Sequence, residues 1–184
     1  MCKETVKIGI ILGSTREGRN SPQVGEWVKS LSDKREDATF EIVDIVDFHL
    51  PFFGTTAMND ERIIKWNQSV GSYDGFIFIV QEYNHSITGA LKNALDLARE
   101  PWNNKAAGIV SYGSVGGARA AEHLRGILGE LAIADVRTHP AFSVFTDFAD
   151  RFTFKPADLH VPVVKKMVNE VVSWSSALKT LRGK

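Results

Sequence analysis

The residues Gly13-Ser14-Thr15-Arg16-Glu17-Gly18-Arg19-Asn20-Ser21 join an apolar run, Val6 to Leu12, to a helix-like segment opening with Ser21-Pro22. Glycines and hydroxyl side chains between a buried strand and a helix amino end make a place to hold a phosphate. Backbone N–H groups and the helix dipole converge on an anion there. Arg16 and Arg19 add planar, charge-assisted donors matched to phosphate oxygens. The loop lacks the Gly-x-Gly-x-x-Gly spacing that cradles a dinucleotide pyrophosphate. The bland alternative is a strand-to-helix turn capped by Ser21.

Two later stretches carry comparable residue types. Gln81-Glu82-Tyr83-Asn84-His85-Ser86 follows an apolar run and leads into Gly89–Asp96. Tyr83 offers an aromatic face to a planar ligand and Asn84 offers both amide polarities. Taken singly, they also suit a turn and a packed ring. Ser111-Tyr112-Gly113-Ser114-Val115-Gly116-Gly117-Ala118-Arg119 is glycine-rich, which lets backbone approach a ligand closely or simply turns the chain into a helix. The five histidines, His49, His85, His123, His139 and His160, show no metal-ligand spacing. Only His85 falls in one of these loops; the others read as surface or structural.

The elements that must position these loops are legible from hydrophobic pattern. Strand candidates are Val6–Leu12, Thr39–Ile45, Gly75–Val80, Ala106–Tyr112 and Ala134–Thr138. Three of them are apolar almost without alternation, as in strands covered on both faces. Helix candidates are Pro22–Lys34 with Ser21 as cap, Asp60–Ser69 with Asn59 as cap, Thr88–Arg99, Gly117–Leu131, and a last helix beginning near Pro162. Strict alternation predicts an α/β fold: a flavodoxin-like, doubly wound, five-stranded parallel sheet of order 2-1-3-4-5 with helices on both faces. In that topology ligands bind beyond the carboxyl ends of strands 1, 3 and 4, which is where the three loops fall. Phe48–Met58 and Phe142–Pro156 interrupt the alternation. Such aromatic loops are lids, ligand walls or subunit contacts, or they pack on their own sheet edge.

At 184 residues one domain spanning 1–184 is expected. Lys plus Arg and Asp plus Glu balance at 22 each, so no global field steers the chain to nucleic acid or an anionic membrane. The longest apolar runs are strand-sized, short of the roughly 20 residues of a membrane span. The single cysteine, Cys2, excludes an internal disulfide and fits a reducing compartment. Met1-Cys2-Lys3-Glu4 lacks the apolar core of a signal peptide, and a cytoplasmic location is expected.

The pattern Gly13-Ser14-x-Arg16 with Asn20-Ser21, then Glu82-Tyr83-Asn84-x-Ser86-x-x-Gly89-x-Leu91-Lys92-Asn93-Ala94-Leu95-Asp96, then Gly116-Gly117-Ala118-Arg119 with Leu124-Arg125, resembles the NAD(P)H-dependent FMN reductase family. That family includes quinone, chromate and azo-dye reductases, and the resemblance covers roughly residues 6–142. It implies an FMN whose phosphate is held by Ser14, Arg16, Asn20 and Ser21, with Pro22 and Gln23 at the helix start beside them. The flavin ring would lie against Gln81, Glu82, Tyr83 and Asn84 and reach Ser111, Tyr112, Gly113, Gly116 and Gly117. It further implies NADPH or NADH as co-substrate, a small-molecule acceptor such as a quinone, flavin, azo dye or metal oxyanion, and a homodimer or homotetramer. Hydride would pass in a ping-pong cycle that needs no side-chain acid or base and no metal. Arg119 would meet the NADPH phosphate or a neighbouring subunit. The family usually begins its middle motif with proline; Gln81 stands there instead, adding a polar side chain and a backbone N–H. The other reading is a flavodoxin-like electron carrier or flavin-binding regulator, though such carriers are usually acidic and lack the arginine.

Overall fold

The structure, a computed structural model, describes residues 5–183; Cys2 lies outside them. Strands β1 (Val6–Leu12), β2 (Ala38–Asp44), β3 (Gly75–Gln81), β4 (Lys105–Gly113) and β5 (Ile133–Asp135) form a parallel sheet in the order β2-β1-β3-β4-β5. A sixth short strand, β6 (Ala141–Ser143), also pairs parallel with β4. β5 takes Lys105–Ala107 and β6 takes Ser111–Gly113, so two short strands in tandem fill the position expected for one strand over Ala134–Thr138.

Helices α1 (Ser21–Ser32), α2 (Glu61–Gly71), α3 (Gly89–Asp96), α4 (Ala118–Glu130) and α5 (His160–Arg182) connect the strands. The alternation within each strand decides which helix covers which face. Phe76, Phe78 and Val80 of β3 pack under α2, α3 and α4, while Ile77 and Ile79 pack under α1 and α5. On the first face Trp102 is fully buried, edge-on to Phe76 at 4.8 Å and to Trp66 at 5.9 Å. Both indoles are satisfied, Trp66 donating to Ala94 O at 2.7 Å and Trp102 to Leu95 O at 3.2 Å.

Several helix ends differ from the sequence expectation, each for a local reason. Ser21 is the first residue of α1, and Asn20 is the cap, without a capping side-chain bond. In α2 the cap is Asp60, whose carboxylate accepts from Arg62 N, and not Asn59. α3 stops at Asp96, short of Arg99, and the chain passes into a 3-10 turn, Glu100–Trp102, around Pro101. α5 begins at His160, before Pro162, because proline is tolerated within a first helical turn whose N–H groups lack intrahelical partners.

At the opposite end of the sheet from the loops of interest, Lys105 is buried and donates to Val70 O at 2.6 Å, at the end of α2. Burial, helped by Arg182 and opposed by Asp74, lowers its pKa to about 8 from an ordinary 10.5. Between these values the unfolded chain holds a proton that the folded chain has released, so this group's contribution to stability rises with pH. Urea unfolding of the wild type and Lys105→Met at pH 8 and pH 10 checks this: the difference should move in favour of the wild type at pH 10. A pH-independent difference would remove Lys105 as the cause.

Candidate functional site

The loops after β1, β3 and β4 meet at the carboxyl edge of the sheet around a cavity of about 230 Å³. Arg16, Arg19, Asn20, Gln81, Glu82, Tyr83, Tyr112 and Gly113 line it, joined by Val144, Arg151 and Phe152 from the loop after β6. Sequence reasoning placed the first eight in one region and missed the last three. Only the aromatic density of that loop marked it.

In the first loop Ser14 is buried, and its Oγ accepts weakly from Arg16 N at 3.4 Å. The Arg16 side chain makes no ion pair among the described residues. Arg19, expected to be a second anion donor, is instead paired with Asp44 at the end of β2. Its Nε is buried without a partner. Asn20 turns its amide to Arg151 O at 2.9 Å instead of capping α1. Gln23 reaches the same loop, donating to Phe152 O at 2.8 Å and accepting from Phe154 N at 2.9 Å. Pro22 has no N–H to offer. The amino end of α1 therefore carries no side-chain cap, and the fully buried Ser21 Oγ beside it has only the Tyr112 hydroxyl to face, without a close hydrogen bond. An uncapped helix dipole, a buried hydroxyl without a close hydrogen bond and an unpaired arginine suit a phosphate monoester.

The second loop is a two-residue turn. Tyr83 and Ser86 exchange both backbone hydrogen bonds at 3.0 Å, with Asn84 and His85 at φ of 49° and 66°. Two consecutive left-handed residues make the turn tight and hold the exposed Tyr83 ring at the cavity mouth. Gln81 ends β3 opposite Tyr112. Its amide donates to Gly13 O at 3.1 Å beside the Thr88 hydroxyl at 2.6 Å, so it locks the second loop to the first, while its Oε1 is buried and unpartnered. Glu82 accepts from Arg119 N at 3.1 Å and Nε at 2.6 Å. Burial raises its pKa, but these bonds and the Arg119 charge outweigh it and hold the carboxyl below its ordinary value. Arg119 also meets His85 Nε2 at 2.8 Å, so it is committed to holding this turn.

The third loop is shaped from beneath. The Ser111 hydroxyl donates to Gly116 O at 2.5 Å, which leaves its lone pair to accept from His139 Nε2 at 2.7 Å. Burial and then Arg125 push His139 below the ordinary imidazole value, which favours the neutral ring. His139 is thus structural, as expected of it, but in a link no sequence signal exposed. Gly116 and Gly117 both sit at φ 72°, and Gly117 caps α4. Tyr112 is buried, and that burial, followed by the influence of Tyr83, raises its pKa; Ser21, Arg16 and Arg19 act the other way. Ser111, Gly116 and Gly117, like Asn84, stand outside the lining of the cavity; Ser111 flanks Tyr112 and is bonded to Gly116.

The two aromatic loops resolve differently. Phe142 and Phe148 are buried with the half-buried Phe154 against Trp27, whereas Phe145 and Phe152 are about 60% exposed. In the other loop, Asn93 of α3 donates to Pro51 O at 2.9 Å and accepts from Phe53 N at 2.8 Å, which ties this loop to α3. Phe52 is 73% exposed at the rim of a second cavity of about 450 Å³, lined also by Thr15, Leu50 and Ala90.

Residues 6–147 match the family model described as NADPH-dependent FMN reductase. The chain is 32% identical over 181 residues to an NAD(P)H-dependent FMN reductase of Schizosaccharomyces pombe, covering 92% of this chain and 90% of that one. It is 34% identical over 137 residues to a 2-hydroxy-1,4-benzoquinone reductase of a Burkholderia species, covering 70% and 73% of the two chains. Among solved structures, the flavoenzyme NAD(P)H:(acceptor) oxidoreductase FerB of Paracoccus denitrificans superposes with a TM-score of 0.77 over 94% of this chain and 98% of that one, at 20% identity.

Proposed function

The chain belongs to the NADPH-dependent FMN reductase family, and from that premise we propose that the cavity at the ends of β1, β3 and β4 is its FMN site. The protein is an FMN-dependent NAD(P)H oxidoreductase. FMN, when bound, would supply the two-electron redox chemistry that links a nicotinamide to an acceptor. The chain's own residues bind and orient. Ser14, Arg16, Asn20 and Ser21, with the N–H groups opening α1 around Pro22 and Gln23, hold the phosphate. Gln81, Glu82 and Tyr83 form one wall of the ring site, with Asn84 in the turn that holds Tyr83 there. Tyr112 and Gly113, supported by Ser111, Gly116 and Gly117, form the other. No side chain is assigned as acid or base.

The observation that carries this reading is the uncapped amino end of α1, at the cavity that the exposed Arg16, without an ion pair among the described residues, also lines. The acceptor is a small molecule of quinone type, a reading supported by the benzoquinone reductase relative. A yellow protein that bleaches within mixing time on anaerobic addition of NADPH or NADH, and recovers its colour with benzoquinone, is the expected result. Bound flavin that stays oxidised with both nucleotides would leave only a carrier or regulator.

The assembly is a homodimer, or a homotetramer built from two. Phe52, Phe53 and Met58 are each more than half exposed, and Phe53 shares a cavity with Arg99 and Ile127 across α3 and α4. A patch of this kind is the signature of a covered surface. Light scattering should show Phe52→Ser with Phe53→Ser shifting the protein toward monomer; an unchanged mass would move the interface elsewhere. The single cysteine and balanced charge support a cytoplasmic protein of one domain with neither nucleic acid nor membrane as partner. No described helix is long and apolar enough to cross a membrane.

A further inference from the structure

We propose that the strap Asp147–Phe154 delivers Arg151 as a second cationic phosphate ligand, completing an anion site that the loop after β1 leaves half built. The proposal rests on the FMN reading above.

The strap is held at both ends and in the middle. Asp147 is buried and its carboxylate meets Ser143 N and His160 Nε2, each at 2.9 Å. Phe148 and Phe154 sink into the aromatic cluster with Trp27 and Phe142. The Asp150 carboxylate turns the tip by accepting from Phe152 N at 2.9 Å and Thr153 N at 2.6 Å. Packing needs no more than this. Yet Arg151 sits at φ 65°, a conformation L side chains rarely adopt, and is fixed there by Asn20 bonding its carbonyl and Gln23 bonding the next. Asparagine is among the best helix caps, and here it is diverted from α1 to the strap. A strained residue over-determined by its surroundings points to function more than to packing.

What Arg151 brings is an uncommitted charge. Its guanidinium lies 5.1 Å over the exposed Phe145 ring, and it makes no ion pair among the described residues. It lines the same cavity as Arg16. Arg19, adjacent in sequence to the phosphate loop, is used by Asp44. Arg16 and Arg151 are therefore the two guanidinium groups lining this cavity that make no ion pair among the described residues and are left to face a dianion. The chemistry recognised is a phosphate monoester. FMN's own phosphate is the source argued, because the residues that hold the strap are those that open α1; the alternative source is the 2′-phosphate of NADPH.

Arg151→Gly tests this, because glycine accepts φ 65° and the strap keeps its backbone bonds. The flavin-free variant should melt no lower than wild type, and ~2–4 °C higher if the strain is relieved. Titrated by flavin fluorescence, it should bind FMN about 10- to 100-fold more weakly, the loss of a charge-assisted hydrogen bond, with riboflavin binding unchanged. Arg151→Lys should fall between. Unaltered FMN affinity overturns the proposal. Unaltered FMN affinity with a collapsed NADPH-over-NADH preference in kcat/KM overturns it in favour of the nucleotide phosphate. Wild type that fails to prefer FMN over riboflavin would instead undo the cofactor site itself.

Discussion

Gly117→Ala is expected to unfold the third loop and cost the protein its flavin. Gly117 lies at φ 72°, and a Cβ there would stand 2.9 Å from Ser111 Cβ, Tyr112 N and Tyr112 O. Two of those atoms are backbone of β4, paired on both sides, and cannot give way. The left-handed conformation costs a non-glycine residue about 1–2 kcal/mol. The collision adds about 1–3 kcal/mol more, as for overpacking in a core. For a chain of this size the total lowers Tm by ~5–15 °C. Calorimetry measures the loss, and gel filtration shows whether flavin remains with the protein. Gly129→Ala is the control in the same helix. Nothing lies within 4 Å of a Cβ there, so alanine should stabilise by about 0.5–1 kcal/mol through helix propensity. Equal effects at both positions would show that the fold, and not the loop geometry, is being probed.

Arg16→Ala is expected to weaken FMN binding about 10- to 100-fold, as removal of charge-assisted bonds worth about 1.5–3 kcal/mol requires. Arg16 is exposed and unpaired, so its loss should leave the melting temperature of the flavin-free protein unchanged. Riboflavin, lacking the phosphate, should bind both proteins alike. Arg19→Ala should behave in the opposite way. It strands the largely buried Asp44 without its cation, so stability falls while the FMN-over-riboflavin preference survives. Fluorescence titration with both flavins, paired with thermal melts, separates the two. An Arg19 variant that lost the preference while Arg16→Ala kept it would reverse the assignment of the two arginines.

Much of the architecture was legible because parallel strands buried on both faces have no polar face to show. Runs such as Phe76-Ile77-Phe78-Ile79-Val80 have few other readings, and five strands alternating with five amphipathic helices suit the order β2-β1-β3-β4-β5 that the sheet has. What was not legible was short or capped by tertiary contact. β5 and β6 are only three residues each and exist because β4 offers an edge on both halves. Ser21 reads as a cap in isolation, but Asn20 occupies that position with its side chain drawn to Arg151.

The same division runs through the site. By itself the sequence determined that three loops of glycine, hydroxyl, arginine and aromatic residues follow strands 1, 3 and 4, since local spacing and periodicity are written residue by residue. Only the tertiary structure decided which of those residues are free to act. It committed Arg19 to Asp44 and Arg119 to Glu82, turned Gln81 back onto Gly13, and locked Ser111 to His139. It also brought Arg151 beside the phosphate loop, 131 residues from Asn20 along the chain. The physical reason is that a charge or hydrogen-bond donor serves a ligand only when no nearer partner satisfies it. Partners fixed by chain crossing carry no signature in local sequence.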